Sequence, residues 1–180
     1  MRELSLSILD IVQNSVKAGA SLISVEINET EDRFSFTVTD DGCGMTPELL
    51  ARVKDPFTTT RTTRKVGLGI PLLTLAARQT GGDVFIRSQT GEAHGTELRA
   101  EFNKKHIDFT PPGDLTATVV TLVQGMGDID LEYVHHTEKG DVRLSTRQLR
   151  EVLGDVPLSE PEVLSWVNGY LREQYEGIKG

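Results

Sequence analysis

Four short groups in the first part of the chain supply glycines, side chains that carry oxygen atoms, or both. They lie at Asn14, at residues 40–44 (DDGCG), at residues 67–69 (GLG) and at residues 95–96 (GT). The carboxylate of Asp40 is suited to accept a hydrogen bond from the amino group of adenine, and glycines let a base or a phosphate approach the backbone closely. The amide oxygen of Asn14 is a hard donor of the kind that Mg²⁺ prefers. Each group alone is weak, since Asp-Gly pairs are common in turns, but in this order they predict an ATP site.

A basic segment precedes the second group of glycines. Residues 55–66 have no sustained apolar periodicity and are rich in threonine and basic side chains, which predicts a mobile loop resembling a lid. We expect Arg61, Arg64 and Lys65 to close over the β and γ phosphates, with a solvated basic loop as the alternative.

The glycines of the 67–69 group are expected to open a helix. Gly67 and Gly69 would then offer backbone N–H groups at a helix N-terminus, where a phosphate is favoured. Leu68 would fill the space between them.

The periodicity of apolar residues predicts the elements that position these groups. A helix over residues 3–18 carries Asp10 and Asn14 on one face, and it is expected to end at Gly19. Residues 22–28 and 34–38 alternate as two paired strands, and the second delivers Asp40 at its end. A short helix after Thr46-Pro47, a helix to about residue 79 and strands near residues 84–86 and 98–102 complete this part.

The Thr110-Pro111-Pro112-Gly113 segment breaks regular structure and indicates a boundary. We predict an ATP-binding domain over residues 1–105 and a small α+β extension over residues 106–180. The extension is expected to form a helix, a hairpin and two further helices, although its β-branched run at 115–123 also allows a strand. It carries no catalytic motif, so partner binding or self-association, including a homodimer, is its expected use.

Composition narrows the class of protein. The chain of 180 residues has a formal net charge of −8, which argues against a nucleic-acid partner. No stretch approaches the roughly 20 apolar residues that span a bilayer, and no secretory signal is recognisable, so no membrane contact and a cytoplasmic location are expected. Cys43 is the only cysteine, and we expect it to be a small buried filler.

These motifs resemble the ATP-binding domain of the GHKL superfamily, which includes histidine kinases, anti-sigma-factor kinases, MutL, Hsp90 and type II topoisomerases. Residues 55–59 (DPFTT) before the 67–69 glycines are similar to the histidine-kinase and anti-sigma-kinase branch, and residues 11–15 (IVQNS) also resemble the N-box of the MutL branch. The resemblance implies a two-layer α/β sandwich, in which helices cover a mixed, mostly antiparallel sheet and ATP lies between the helices and a lid.

The resemblance also implies a role for each matched residue in the adenine pocket. Asp40 would read the adenine amino group, Gly42 and Gly44 would let the backbone approach the ring, and Thr96 would support the base or its ordered water.

On the phosphate side, the resemblance assigns the Mg²⁺ ligand to Asn14. Asp10 stands one helical turn earlier, where the MutL-like branch carries a glutamate that acts as general base. Aspartate is one methylene shorter, so Asp10 is a candidate catalytic base, and an indirect or Mg²⁺-bridging role stays open.

The sequence leaves three functions open. The first is a soluble Mg-ATP-binding protein, similar to a stand-alone kinase catalytic domain, that phosphorylates or regulates a protein partner. The others are a nucleotide-gated interaction module without turnover and a slow MutL-like ATPase. A full sensor kinase is not expected, because the ATP-binding part begins at Met1 and the histidines do not lie in a recognisable phosphoacceptor helix.

Overall fold

The computed structural model describes residues 3–54 and 69–179. Within these ranges, one six-stranded sheet has the order β3-β4-β2-β1-β5-β6, and helices cover one of its faces. The strands are β1 (Leu22–Glu29), β2 (Arg33–Asp40), β3 (Asp83–Gln89), β4 (Gly95–Asn103), β5 (Asp130–Thr137) and β6 (Gly140–Ser145). The helices are α1 (Leu4–Lys17), α2 (Pro47–Arg52), α3 (Gly69–Gln79), α4 (Leu115–Gly125), α5 (Thr146–Leu153) and α6 (Pro161–Lys179). The predicted two-layer α/β architecture is therefore confirmed.

The sheet is mixed and mostly antiparallel. Its one parallel pair among the described strands joins β1 to β5, with Leu22 opposite Asp130. The antiparallel pairs place Asp40 opposite Ile23 on one side and opposite Thr96 on the other. The register therefore brings two of the predicted site residues side by side at one end of the sheet.

The core lies between the sheet and α1, α3, α4 and α6. Strand residues alternate between this core and the opposite face, as the period of two requires. Phe34, Phe36 and Val38 of β2 are buried, whereas Ser35 and Thr37 lie on the open face.

Hydroxyl side chains cap the beginnings of two helices. The Thr46 hydroxyl accepts from the Leu49 N–H at 3.3 Å and begins α2, with Pro47 in the first turn. The Ser145 hydroxyl accepts from the Gln148 N–H at 3.3 Å and begins α5.

The region after residue 106 continues the same sheet. Residues 115–125 form the helix α4, which resolves the alternative that the sequence left open. Its buried side chains Leu115, Val119 and Leu122 recur at helical spacing, so they lie on one face of the helix. The helix packs between α1 and α6. The carbonyls of Pro111 and Pro112 accept from the first N–H groups of α1 at 2.9 Å each. No helix in the described part of the chain combines the length and apolar character that a membrane crossing needs.

Candidate functional site

A cavity of about 240 Å³ opens at the end of the sheet where β2 delivers Asp40. The side chains of Val38, Ile86 and Leu98 form an apolar floor from three strands. The other lining residues come from α1 and the residue after it, from β2 and β4, from the segment around α2 and from α3: Ile11, Asn14, Ser15, Ala18, Asp40, Gly44, Met45, Leu49, Val53, Ile70 and Thr96. A mainly apolar pocket with a few convergent polar groups is typical of a small-molecule site.

The carboxylate of Asp40 is fixed by two donors. Its Oδ2 accepts from the Ser15 hydroxyl at 2.5 Å, and its Oδ1 accepts from the Gly42 N–H at 2.8 Å. A carboxylate has about four acceptor positions, so the Asp40 group retains acceptor capacity for an amino group of a ligand. Ser15 is not among the site residues expected from the sequence. The signal that could have identified it is a hydroxyl at a buried position of an amphipathic helix, next to Asn14.

Three glycines around the cavity meet other parts of the backbone closely. A Cβ on Gly42 would lie 2.9 Å from the Ala18 carbonyl oxygen, and one on Gly95 would lie 2.5 Å from the Asp40 carbonyl oxygen. Gly44 has φ of +76°, and a Cβ there would lie 1.8 Å from the Gln89 carbonyl oxygen. In this structure, the close approach that these glycines allow is between neighbouring backbone segments of the protein.

Thr96 is held by Ser88, which is not among the site residues expected from the sequence. The Ser88 and Thr96 hydroxyl oxygens lie 2.7 Å apart, and the Ser88 hydroxyl also accepts from the Met45 N–H at 2.8 Å. Ser88 therefore connects β3, β4 and the segment before α2 at the edge of the cavity. Its position in β3, two residues after the half-buried Ile86, gave no signal in the sequence.

Asp41 anchors the segment that follows β2. Its carboxylate accepts from the Ser21 N–H at 2.7 Å, from the Ser21 hydroxyl at 2.5 Å and from the Leu22 N–H at 3.0 Å. Desolvation raises the pKa of Asp41, but these hydrogen bonds together outweigh it and lower the pKa to about 2. The ionised carboxylate thus ties the residues after Asp40 to the start of β1.

The polar face of α1 points to the side of the cavity where α3 begins. Asn14 is half-buried and lines the cavity, whereas Asp10 is exposed and lies outside it. A Cβ on Gly69 would lie 3.7 Å from the Asp10 Cβ, so Asp10 is adjacent to the start of α3. Desolvation by the surrounding protein raises the pKa of Asp10 even though its side chain is exposed.

Part of the predicted phosphate side lies outside the described residues. This part consists of the predicted lid and of Arg61, Arg64, Lys65, Gly67 and Leu68.

The loop after β2 differs from the prediction at Cys43. The expectation that Cys43 is a buried filler was wrong: its side chain is exposed, because Gly42, and not Cys43, packs against Ala18. His94, which was not assigned to the site, contacts the same loop and places its Nδ1 2.8 Å from the Gly42 carbonyl oxygen.

Comparison with known proteins gives the following similarities. A family model described as histidine kinase-, DNA gyrase B-, and HSP90-like ATPase matches residues 2–106. The tetrathionate sensor histidine kinase TtrS of Salmonella typhimurium is 33% identical over 81 residues, which cover 45% of this chain and 14% of TtrS. The sensor protein kinase FleS of Pseudomonas aeruginosa is 39% identical over 59 residues, which cover 32% of this chain and 15% of FleS. The matched segments are thus a small part of each relative.

One solved structure shows how far the fold likeness extends. The crystal structure of the N-terminal domain of a DNA repair protein aligns with a TM-score of 0.59 at 14% identity. The alignment covers 87% of this chain and 58% of the other, so it reaches beyond the part that the family model matches.

Proposed function

Because the chain belongs to the family of histidine kinase-, DNA gyrase B- and HSP90-like ATPases, whose domain binds ATP, we propose that it binds Mg-ATP and phosphorylates or regulates a protein partner. Similarity to parts of two sensor kinases favours this activity. The phosphoacceptor would be a side chain of the partner, and catalysis would consist mainly of positioning and charge stabilisation.

The observation that carries the ATP proposal is the setting of Asp40. A carboxylate held by Ser15 and Gly42 stands at the edge of an apolar cavity, with Thr96 beside it in the sheet register. A flat base in this cavity would bury its faces against the apolar floor and direct its amino group towards Asp40. Guanine has a carbonyl oxygen where adenine has the amino group, so the same carboxylate would disfavour GTP.

The residues present also fit a magnesium ion. Asn14 lines the cavity, and its side-chain amide makes no hydrogen bond to another described residue, so its oxygen is free to act as a hard donor. When bound with ATP, Mg²⁺ supplies neutralisation of the phosphate charge. Asn14 would hold the ion at the polar face of α1, and Gly69 would present the N-terminus of α3 to the phosphates.

Calorimetric titration with ATP and GTP in the presence of Mg²⁺ tests the adenine pocket. We expect wild type to bind ATP at least about tenfold more tightly than GTP. The Asp40 carboxylate would pair with the amino group of adenine, whereas it would face the carbonyl oxygen of guanine, which is also an acceptor. Asp40→Asn should weaken ATP binding by about tenfold or more, whereas Asp128→Asn, at an exposed position outside the cavity, should not. Equal binding of ATP by wild type and Asp40→Asn would exclude this mode of binding.

A slow ATPase is the second candidate, and the position of Asp10 favours it. Asp10 lies next to the start of α3, and its raised pKa brings it nearer to that of a general base. Release of inorganic phosphate from ATP by wild type and by Asp10→Asn separates the two functions. Release that depends on Asp10 supports the ATPase, whereas tight ATP binding without release supports phosphotransfer to a partner or a nucleotide-gated interaction.

A further inference from the structure

A groove runs between α5 and α6 and continues onto the open face of the sheet beside β5 and β6. It consists of two cavities of about 910 Å³ and 580 Å³. Both cavities include Leu149, Val152 and Trp166 in their walls, so they form one continuous depression. The groove shares no described residue with the nucleotide cavity.

Apolar side chains in this groove are unusually exposed. Val152 is 86% exposed, Trp166 52% and Val156 47%. The Trp166 ring stacks on the Tyr170 ring one helical turn later, with centroids 4.8 Å apart and planes at 13°. A contiguous apolar surface of this kind marks an interaction site more often than an isolated exposed residue does.

The charged side chains of the groove are almost all acidic. Asp155, Glu160 and Glu162 line the outer cavity, and none of them has an ion-pair partner among the described residues. Glu26, Glu97 and Glu132 line the inner cavity. Arg143 is the one lysine or arginine among the described lining residues, and its guanidinium is paired with Asp141 at 2.9 Å. An apolar floor with an acidic border is complementary to a ligand that is apolar and basic.

We propose that this groove binds a basic amphipathic helix of a partner protein. The apolar face of such a helix would cover Val152, Val156 and Trp166, and a lysine or arginine could lie over the stacked aromatic rings. Its remaining cations would pair with Asp155, Glu160 and Glu162. A second copy of this chain fits less well, because a two-fold contact would place the same acidic border against itself and the chain already carries a net charge of −8.

Selection from a random peptide library tests the proposal, and it does so before the natural partner is identified. Displayed peptides of about 16 residues, long enough to form a helix on the groove, are selected on wild type and counter-selected on Val152→Asp. Val152 is suited to this purpose because its exposure makes the substitution harmless to the core. We expect the enriched sequences to carry a net positive charge and apolar residues at helical spacing.

One enriched peptide is then synthesised and titrated while the fluorescence of Trp166 is recorded. Binding should weaken by about tenfold or more in Val152→Asp and in the Glu160→Lys/Glu162→Lys double variant. Ile107→Asp is the matched control, since Ile107 is 95% exposed and outside the groove, and it should bind as wild type does. All variants should bind ATP equally, so the outcome is independent of the nucleotide proposal.

Three results would overturn the proposal. The first is that no selected peptide binds wild type more tightly than it binds Val152→Asp. The second is that the enriched peptides are acidic or that their apolar residues do not recur at helical spacing. The third is that wild type is a dimer that Val152→Asp converts to a monomer, which would assign the groove to a second copy of the chain.

Discussion

At the scale of single residues, the position of Asp40 depends on Ser15 as much as on the sheet. The end of β2 places the Asp40 backbone, and the hydrogen bonds from the Ser15 hydroxyl and the Gly42 N–H orient its carboxylate. A hydrogen bond to a charged group typically contributes about 1.5–3 kcal/mol, and loss of the one from Ser15 would leave the Gly42 N–H as the remaining donor to the carboxylate among the described residues. Ser15 is therefore a positioning residue for base recognition.

Substitution of Ser15 by alanine should weaken ATP binding by about tenfold, because Asp40 loses one of its two orienting hydrogen bonds while its charge remains. Thermal stability should also fall, since the higher helix propensity of alanine only partly offsets the loss of this hydrogen bond. Titration calorimetry measures the first effect, and a thermal melt measures the second. Ser35→Ala, on the open face of β2, is the control. Unchanged ATP affinity in Ser15→Ala would remove Ser15 from the site.

Gly95 is a second residue whose identity matters, and the reason is steric. It has φ of +147°, and an added Cβ would lie 2.5 Å from the Asp40 carbonyl oxygen. Gly95→Ala should therefore lower the free energy of unfolding by about 2–4 kcal/mol, from backbone strain and from the forced separation of β2 and β4.

Gly91→Ala separates these two causes. Gly91 also has a positive φ, of +84°, but an added Cβ there would meet nothing within 4 Å. The Gly91→Ala substitution should lower the free energy of unfolding by only about 1–2 kcal/mol, which is the usual penalty for alanine in a left-handed conformation. Urea unfolding of both variants makes the comparison, and equal losses would show that the contact with Asp40 does not decide the choice of glycine.

At the scale of elements, Asp41 joins the segment after β2 to the start of β1. Its pKa of about 2 lies below the ordinary value of 3.8, so the folded state binds the proton of this group less tightly than the unfolded state. The stability that Asp41 contributes is therefore fully present above pH 3.8 and is lost as the pH falls towards about 2.

The Asp41→Asn variant should be less stable than wild type near neutral pH, and the difference should shrink as the pH falls below 3.8. Urea unfolding from pH 6 down to about pH 2 measures this difference. An NMR titration of the Asp41 carboxyl carbon gives the pKa directly. A titration midpoint near the ordinary value of 3.8 would show that the hydrogen bonds to Ser21 and Leu22 do not hold the carboxylate in solution.

The elements themselves were largely predictable from the sequence, because period and capping are local properties. Neighbouring residues predict the helix α1, the paired strands β1 and β2 and the cap Thr46. The partners of the site residues were not predictable in this way. Ser88 reaches Met45, which is 43 residues away, and Ser21 reaches Asp41 across 20 residues. The exposure of Cys43 likewise depends on how the loop packs against Ala18.

At the scale of the whole molecule, the region after residue 106 shares the sheet of the ATP-binding part. The sequence boundary at 110–113 is a real break in regular structure, but the parallel pairing of β5 with β1 joins the two sides of it. Antiparallel strands that follow each other can be recognised from the short turn between them. The parallel strands β1 and β5 are joined by about 100 residues, so no such turn indicates their pairing. We propose that the two regions unfold as one unit.

A buried polar cluster links the two regions through their side chains. The hydroxyl of Tyr175 on α6 lies 2.8 Å from the Nδ1 of His135 and 2.6 Å from the Tyr133 hydroxyl. The Nε2 of His135 lies 2.8 Å from the carboxylate of Glu29 on β1. Lys104, after β4, pairs with the same carboxylate at 2.7 Å. The hydrogen bond with His135 is the main cause that lowers the pKa of Glu29, and it outweighs desolvation together with Lys104.

Removal of one hydroxyl from this cluster tests whether the regions unfold together. Tyr175→Phe removes the hydroxyl that pairs with the His135 Nδ1 and with the Tyr133 hydroxyl, which should lower the free energy of unfolding by about 1–3 kcal/mol. Fluorescence of Trp166, the only tryptophan, follows the extension, and far-ultraviolet circular dichroism follows the whole chain. We expect both signals to show one transition that shifts by the same amount. Tyr170→Phe, on the exposed stack of the same helix, should shift neither. Two separate transitions, with only the fluorescence shifted, would mean that the extension unfolds independently of the nucleotide site.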